Sequence, residues 1–394
     1  MPVFIIPTAK SGDQRRDVDL QILRAVAALL VLVDHSLLSV IQSQGLMASE
    51  AALAAFAGKL GAIGVGAFFV LSGYIMLETN RSGFASFRAA AEFMVHRLLR
   101  IAPIYYIGTI IAFAVLEGLW GKNISGVELA TSFLFLPRYT AIENAGFFPV
   151  LGVGWTLNME MFFYLLFAIS MCLSPRKGHW LVISAIAAII ALGRMAEMAG
   201  VINEQSALYF YAKSMMPLFA AGIVLSAGKE RLKAGLAPFA FLFNFHFILV
   251  GLIAVSAIYA FSPYDLKWIS KPVQWSAAFL VVSAAFWVIG LPAAGRRWLA
   301  FLGDASYSIY IFHTIILLHA NYLYARLGWS TGVNFVLVAL NFLVALAGSV
   351  LCYLLVEKPL RSRAELPLRR WISSHLNAGT GYRRSSGPDS EGVA

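Results

Sequence analysis

The sequence predicts an all-α polytopic membrane protein, a bundle of about ten transmembrane helices. Three observations predict it. Apolar runs long enough to cross a hydrocarbon core of about 30 Å as helices recur along most of the chain. Hydrophobic residues make up 60% of the sequence and charged residues 13%, where a soluble domain has about half and about a quarter. Lys and Arg divide unevenly between the two sets of loops that ten spans create, 22 against 8. That asymmetry puts both termini in the cytoplasm, because cytoplasmic loops of membrane proteins retain the cations. The net charge of +10 is thereby explained without a nucleic-acid partner.

Residues 1–19 form a short polar lead carrying Lys10, Arg15 and Arg16. The expected spans are 20–41, 60–78, 101–120, 148–173, 179–200, 207–227, 237–262, 273–292, 300–324 and 332–356. They define a membrane domain over 20–356. The first run is too long for a signal-peptide core and no small-residue cleavage site follows it, so it reads as an uncleaved first helix. Leu129 to Pro137 is apolar but too short to cross, and reads as a re-entrant or surface segment. Residues 357–394 turn basic and then Ser/Gly-rich, which predicts a disordered cytoplasmic tail. Pro359 should stop the last helix. No internal repeat and no soluble catalytic domain is visible. Cys172 and Cys352 lie inside apolar runs, which gives neither a disulfide framework nor a zinc spacing, and no metal site is expected.

The first span holds two residues that a plain anchor avoids, Arg24 and His35. Eleven positions return a helix to within about 20° of its starting face, roughly 16 Å further along the axis. One face therefore carries a cation near the cytoplasmic surface and an imidazole deep in the outer half. Ionisable groups inside a span are costly and mark functional sites by default. The structural alternative is an arginine that snorkels to headgroups and a histidine that makes a helix contact. Asp34 adjoins the imidazole. Arg97 and Arg100 are i,i+3 and share a face at the mouth of the third span, where two guanidinium groups can grip phosphates bidentately. From the arginines alone, ordinary positive-inside decoration is the better reading. In the fourth span Thr156, Glu160 and Tyr164 share a face, with Glu160 near mid-membrane, where a carboxylate needs a partner or a proton. Gly66, Ser72 and Gly73 in the second span would admit either another backbone or a thin acyl chain, with helix packing the default. Ser306, Tyr310 and His313 line one face of the ninth span, and packing roles are favoured there and at Glu357-Lys358-Pro359.

Six segments in order carry a resemblance. They are Leu23-Arg24-Ala25 through His35, the Phe-Phe-Val-Leu-Ser-Gly-Tyr run ending at Tyr74, Arg97 to Tyr106, Gly154-Trp155 through Tyr164, Gly303 to His313, and Glu357-Lys358-Pro359. Together they resemble the membrane-bound acyltransferase 3 family, and within it the bacterial exopolysaccharide O-acetyltransferases. One position departs: members often carry an Asp where this chain has Gly66, so any role of that Asp is either missing here or moved, with Asp34 the candidate. The resemblance implies transfer of an acyl group, usually acetyl, from cytoplasmic acyl-CoA to a sugar hydroxyl. The donor is acetyl-CoA as a co-substrate. The acceptor is a polysaccharide or a lipid-linked glycan, and the setting is the lipid of a bacterial inner membrane. On that reading Arg24, Arg97 and Arg100 hold the donor. His35 acts as general base or acyl carrier, and Glu160 orients or balances the imidazole. Asp34, Ser72, Tyr74, Tyr105, Trp155, Asn158, Tyr164 and His313 contact substrate or support the site. The reading from a different class is a proton-coupled secondary transporter of a sugar, lipid or organic anion, which also uses intramembrane His, Glu and Arg. It lacks the paired, broken-helix halves that transporters often show.

Overall fold

A computed structural model describes residues 11–81, 83–140, 146–213, 215–238, 245–261, 274–279, 281–282, 292–326 and 334–368. The described residues are almost entirely helical. Helix α1 spans Ser11–Ser43, α2 Ala51–Asn80 and α3 Phe87–Gly118. They are followed by the short α4 (Gly126–Phe133), a 3-10 turn at Gly152–Gly154, α5 (Trp155–Met171) and α6 (Pro175–Met198). Next come α7 (Ala207–Lys213), α8 (Met216–Leu236) and α9 (Phe245–Phe261). The described chain ends with α10 (Ala293–Asp304), α11 (Ser306–Arg326) and α12 (Phe335–Cys352), which continues through π-helical Tyr353–Glu357 and Arg361–Glu365. Pro359 therefore does not stop the last helix as expected: it falls in the first turn of Lys358–Leu360, between the two π segments.

Local chemistry sets the ends. Gly45 closes α1 at φ +68°, with its N–H on Gln42 O and that of Leu46 on Ile41 O. That left-handed closure favours glycine. The Ser86 side chain accepts from Ala89 N at 3.1 Å and starts α3. Ser125 and Glu128 form a reciprocal capping box on α4. Pro175 occupies the first turn of α6, where its missing N–H costs nothing.

Seven helical stretches among the described residues are long and apolar enough to cross a membrane, and the bent pair α10–α11 supplies an eighth. Three expected spans need comment. The run 237–262 contains the 17-residue α9. Most of 273–292 lies outside the described residues, with 274–279 and 281–282 helical. The run 300–324 is not one straight rod: it is broken by 68° between α10 and α11. The amphipathic α10 brings Arg296 against Asp19 of α1 at 2.7 Å, so it follows a different direction from the apolar α11. The expected loop 79–100 is mostly helix, since α2 and α3 run on past their apolar cores. The polar lead is likewise helical from Ser11. The segment Leu129 to Pro137 is α4 and the turn after it.

Helices α1 and α2 form the centre. In their apolar windows 72% and 78% of residues are buried inside the protein, against 17% for α6 and 22% for α12. The outer helices instead expose side chains such as Leu192, Met195, Leu343 and Leu355, as a lipid-facing surface does. Helix α2 crosses α8 at Gly73 and Gly222. A Cβ on Gly73 would lie 2.1 Å from Phe219 O, and one on Gly222 2.1 Å from Val70 O. The small residues let two backbones touch, which is the packing that lipid-embedded helices favour. Gly66 faces Leu218 and Ala278, so an aspartate there would meet packed apolar side chains.

Candidate active site

A cavity of about 870 Å³, part of it open to solvent, lies among α1, α2, α3, α5 and α11. Arg24, Arg97 and Arg100 line it together with Ser72, Glu160, Tyr164 and Tyr310. The face shared by Arg97 and Arg100, and the one shared by Thr156, Glu160 and Tyr164, both turn inward. Glu160 accepts from Ser72 Oγ at 3.0 Å and from the Tyr164 hydroxyl. Arg24 lies in the electrostatic field of Glu160, Arg97 and Arg100. Arg97 stacks over the rings of Phe93 and Tyr164, 5.3 and 5.6 Å from their centroids, which fixes a planar guanidinium where a lysine would swing. The cavity thus gathers three cations around one carboxylate, a surplus of positive charge that suits a polyanionic ligand.

Tyr310 marks the far end of this cavity. Its hydroxyl shares a 2.8 Å hydrogen bond with Thr156 Oγ1, and its ring meets Phe68 edge to face at 5.8 Å. One turn further along α11 is His313, whose ring centroid is 6.1 Å from that of Tyr310. His313 in turn meets His35 edge to face at 4.9 Å. Ser306, Tyr310 and His313 do share a face, and it leads from the arginine cavity to the imidazole of α1.

The two histidines are held alike. His35 Nδ1 lies 3.0 Å from Val31 O and His313 Nδ1 2.8 Å from Ile309 O. A carbonyl can only accept, so Nδ1 carries the hydrogen in both rings, and each neutral imidazole keeps its lone pair on Nε2. The His35 side chain is 36% exposed, whereas His313 is 1% exposed with no partner on Nε2. Asp34 Oδ2 is 3.8 Å from His35 Nδ1. Its carboxylate fills the space that a side chain on Gly61 would need, 1.9 Å from an added Cβ.

Glu160, expected to orient or balance the His35 imidazole, has its hydrogen bonds elsewhere. Glu160 bonds Ser72 and Tyr164 among the arginines, and the groups beside His35 are Val31 O, Asp34 and His313. The helix geometry explains this, since Glu160 shares its level with Arg24 rather than with a residue three turns on. The supporting candidates divide between two regions. Ser72 and Tyr164 line the cavity. Tyr105 stacks on Phe135 at 4.9 Å, and Tyr74 is buried in the core. Trp155 packs half-buried against that core, and Asn158 is buried with neither side-chain polar atom bonded. The Thr156–Tyr310 link and the role of Gly61 had no signal in the sequence, because each is a contact between distant helices. No group of three or more His, Cys, Asp or Glu suited to a metal occurs among the described residues.

A multi-helix membrane fold, a cation-lined interior cavity and an imidazole pair beyond it are the features a function has to account for. The family comparison names the class: the acyltransferase domain model matches residues 17–354, and the chain belongs to that family. It is an enzyme that transfers acyl groups other than amino-acyl groups. The chain is similar to the exopolysaccharide production protein ExoZ of Rhizobium meliloti (strain 1021), with 30% identity over 341 residues, 82% of this chain and 95% of ExoZ. It is also similar to ORF330 of Acidianus two-tailed virus, whose name proposes an acetyltransferase, with 24% identity over 261 residues, 65% of this chain and 73% of that protein. No solved structure matches the chain.

Proposed function

We propose that this protein is an O-acyltransferase of the bacterial inner membrane that moves an acetyl group from cytoplasmic acetyl-CoA to a sugar hydroxyl of an exported or surface polysaccharide. The observation that carries the reading is the cavity shared by Arg24, Arg97, Arg100 and Tyr310, continued by the ring contacts from Tyr310 to His313 and His35. The similarity to ExoZ supports a polysaccharide or lipid-linked glycan as acceptor. The 22-to-8 charge split supports cytoplasmic termini, with 20–356 as the catalytic domain between a short lead and the tail from 357.

The charge pattern assigns the roles. The donor's phosphates stay at the arginines, where Glu160 keeps the cluster from carrying three uncompensated cations. Its thin, uncharged pantetheine arm passes Phe68 and Tyr310 toward His35. His35 is the more exposed imidazole, so it meets the acceptor. Its Nε2 takes the hydroxyl proton as the sugar oxygen attacks the thioester carbonyl. The C–O bond forms, the C–S bond breaks, and the departing thiolate recovers the proton from the imidazolium. In the covalent variant, Nε2 itself attacks the thioester carbonyl and the C–S bond breaks to release the CoA thiolate; the sugar hydroxyl then takes the acyl group as the N–C bond breaks, and its proton goes to the thiolate.

The test is acetyl-CoA turnover by the purified protein in detergent, together with the acetyl content of surface glycans with and without the gene. Acceptor-dependent release of CoA, lost in His35→Ala, is the expected result. Acetyl groups appearing on the protein when acceptor is withheld identify the covalent variant. Parental turnover by His35→Ala ends the mechanism.

A further inference from the structure

A second cavity, of about 600 Å³ including its open mouth, lies beside the first between α3 and the continuation of α12. Arg100 borders both cavities. On the far side the second is lined by Glu357 and Arg361, and its walls include Leu99, Pro103 and Leu360. Two backbone features open it. Pro103 lacks an N–H and its ring crowds the carbonyl of Leu99 one turn back. The facing chain is π-helical at Tyr353–Glu357 and again at Arg361–Glu365, a widened winding frequent at functional sites. Glu357 accepts from Ser308 Oγ at 2.5 Å and lies in the field of Arg100 and Arg361. Asp304 lies in the electrostatic field of Arg361, Arg24, Arg100 and Lys358.

Coenzyme A carries two separated groups of negative charge, a pyrophosphate and a ribose 3′-phosphate, on either side of a flat purine nucleoside. If its arm runs inward from the arginine cavity, its nucleoside is left outside that cavity. The space adjoining Arg100 there has apolar walls for a purine and a second guanidinium. We infer that this cavity binds the 3′-phosphoadenosine end of the donor, with Arg361 contacting the 3′-phosphate. This rests on acyl-CoA being the donor. It makes Arg100 the hinge between two phosphate sites and gives the segment after Glu357 a role in donor selection.

The experiment compares CoA with 3′-dephospho-CoA as ligands of the full chain in detergent, for the parent, Arg361→Gln and Arg361→Lys. A charge-assisted contact predicts that the parent binds CoA roughly tenfold or more tighter than 3′-dephospho-CoA. Arg361→Gln should bind CoA only as tightly as 3′-dephospho-CoA, with its affinity for the latter unchanged, and Arg361→Lys should retain part of the preference. A parent that binds both equally, or an Arg361→Gln that keeps the parental preference, overturns the assignment while leaving acyl-CoA as donor. A parent that binds neither overturns both readings, and is told apart by that double loss.

Discussion

His35 and His313 face each other across 4.9 Å with their Nδ1 atoms tied to carbonyls four residues back. The contact ties the buried ring of α11 to the more exposed ring of α1, so substituting either one alters the surroundings of the other. His35→Ala should lower turnover by roughly 10²–10⁴-fold with CoA affinity nearly unchanged. His313→Ala should also lower turnover, by less, because His35 remains to meet the acceptor. Steady-state turnover and CoA binding on both folded variants check this. Parental turnover by His313→Ala would reduce that residue to packing.

Arg97→Ala and Arg100→Ala should each weaken CoA binding by about 1–3 kcal/mol. Arg24→Ala should do the same while keeping some turnover at saturating donor. The losses should shrink as salt is raised if the site stays open to solvent. Calorimetry at two ionic strengths decides it, and unchanged CoA affinity in all three would place the donor elsewhere.

Glu160→Ala leaves three guanidinium groups around the cavity without their carboxylate. Ser72 and Tyr164 lose their acceptor and the part-buried guanidinium groups lose a nearby opposite charge, so thermal unfolding in detergent should shift downward. Glu160→Gln can still accept from Ser72 and Tyr164 and should lose less stability. Saturating CoA should recover part of the loss in both. If Glu160→Ala melts like the parent, Glu160 does not balance the cluster.

Gly73→Ala should destabilise the protein by about 1–3 kcal/mol, the usual cost of overpacking, because the atom in the way is the Phe219 carbonyl. Gly58→Ala, with open space around its Cβ, is the matched control and should be neutral. Equal melting temperatures would show that α2 and α8 can separate freely.

Reporter fusions should place Gly178 and positions after Glu357 in the cytoplasm and Lys122 outside. A tail reached only from the periplasm would reverse the orientation on which the donor side depends.

The helical class and the expensive residues were legible because membrane spans have a length and a charge rule. Arg24, Arg97, Arg100 and Glu160 stood out as costs, and the fold brings them to one cavity. The breaks were not legible. At the 68° turn the only signal is Gly303, just before Asp304, which also packs against the Gln21 backbone, and the Arg296–Asp19 pair that holds α10 to α1 is a contact between distant helices. Helix continued through residues that read as a loop after the second span, because polar residues end a membrane core without ending a helix. His35 shows the deeper limit. Its depth follows from counting residues along α1, but its neighbour is supplied by α11, and spacing within one helix carries no information about which other helix is beside it.

The touching backbones at Gly73 and Gly222 stiffen one wall beside the proposed acyl path. Ser72 is the residue next to that crossing and also part of the cavity lining, so its hydroxyl stays fixed relative to α8. Room for a bulkier acyl group then comes from turning the rings of Phe68 and Tyr310 rather than from parting helices. Acyl length should therefore be read by two aromatic side chains, and trimming either one should broaden the range of acyl groups transferred.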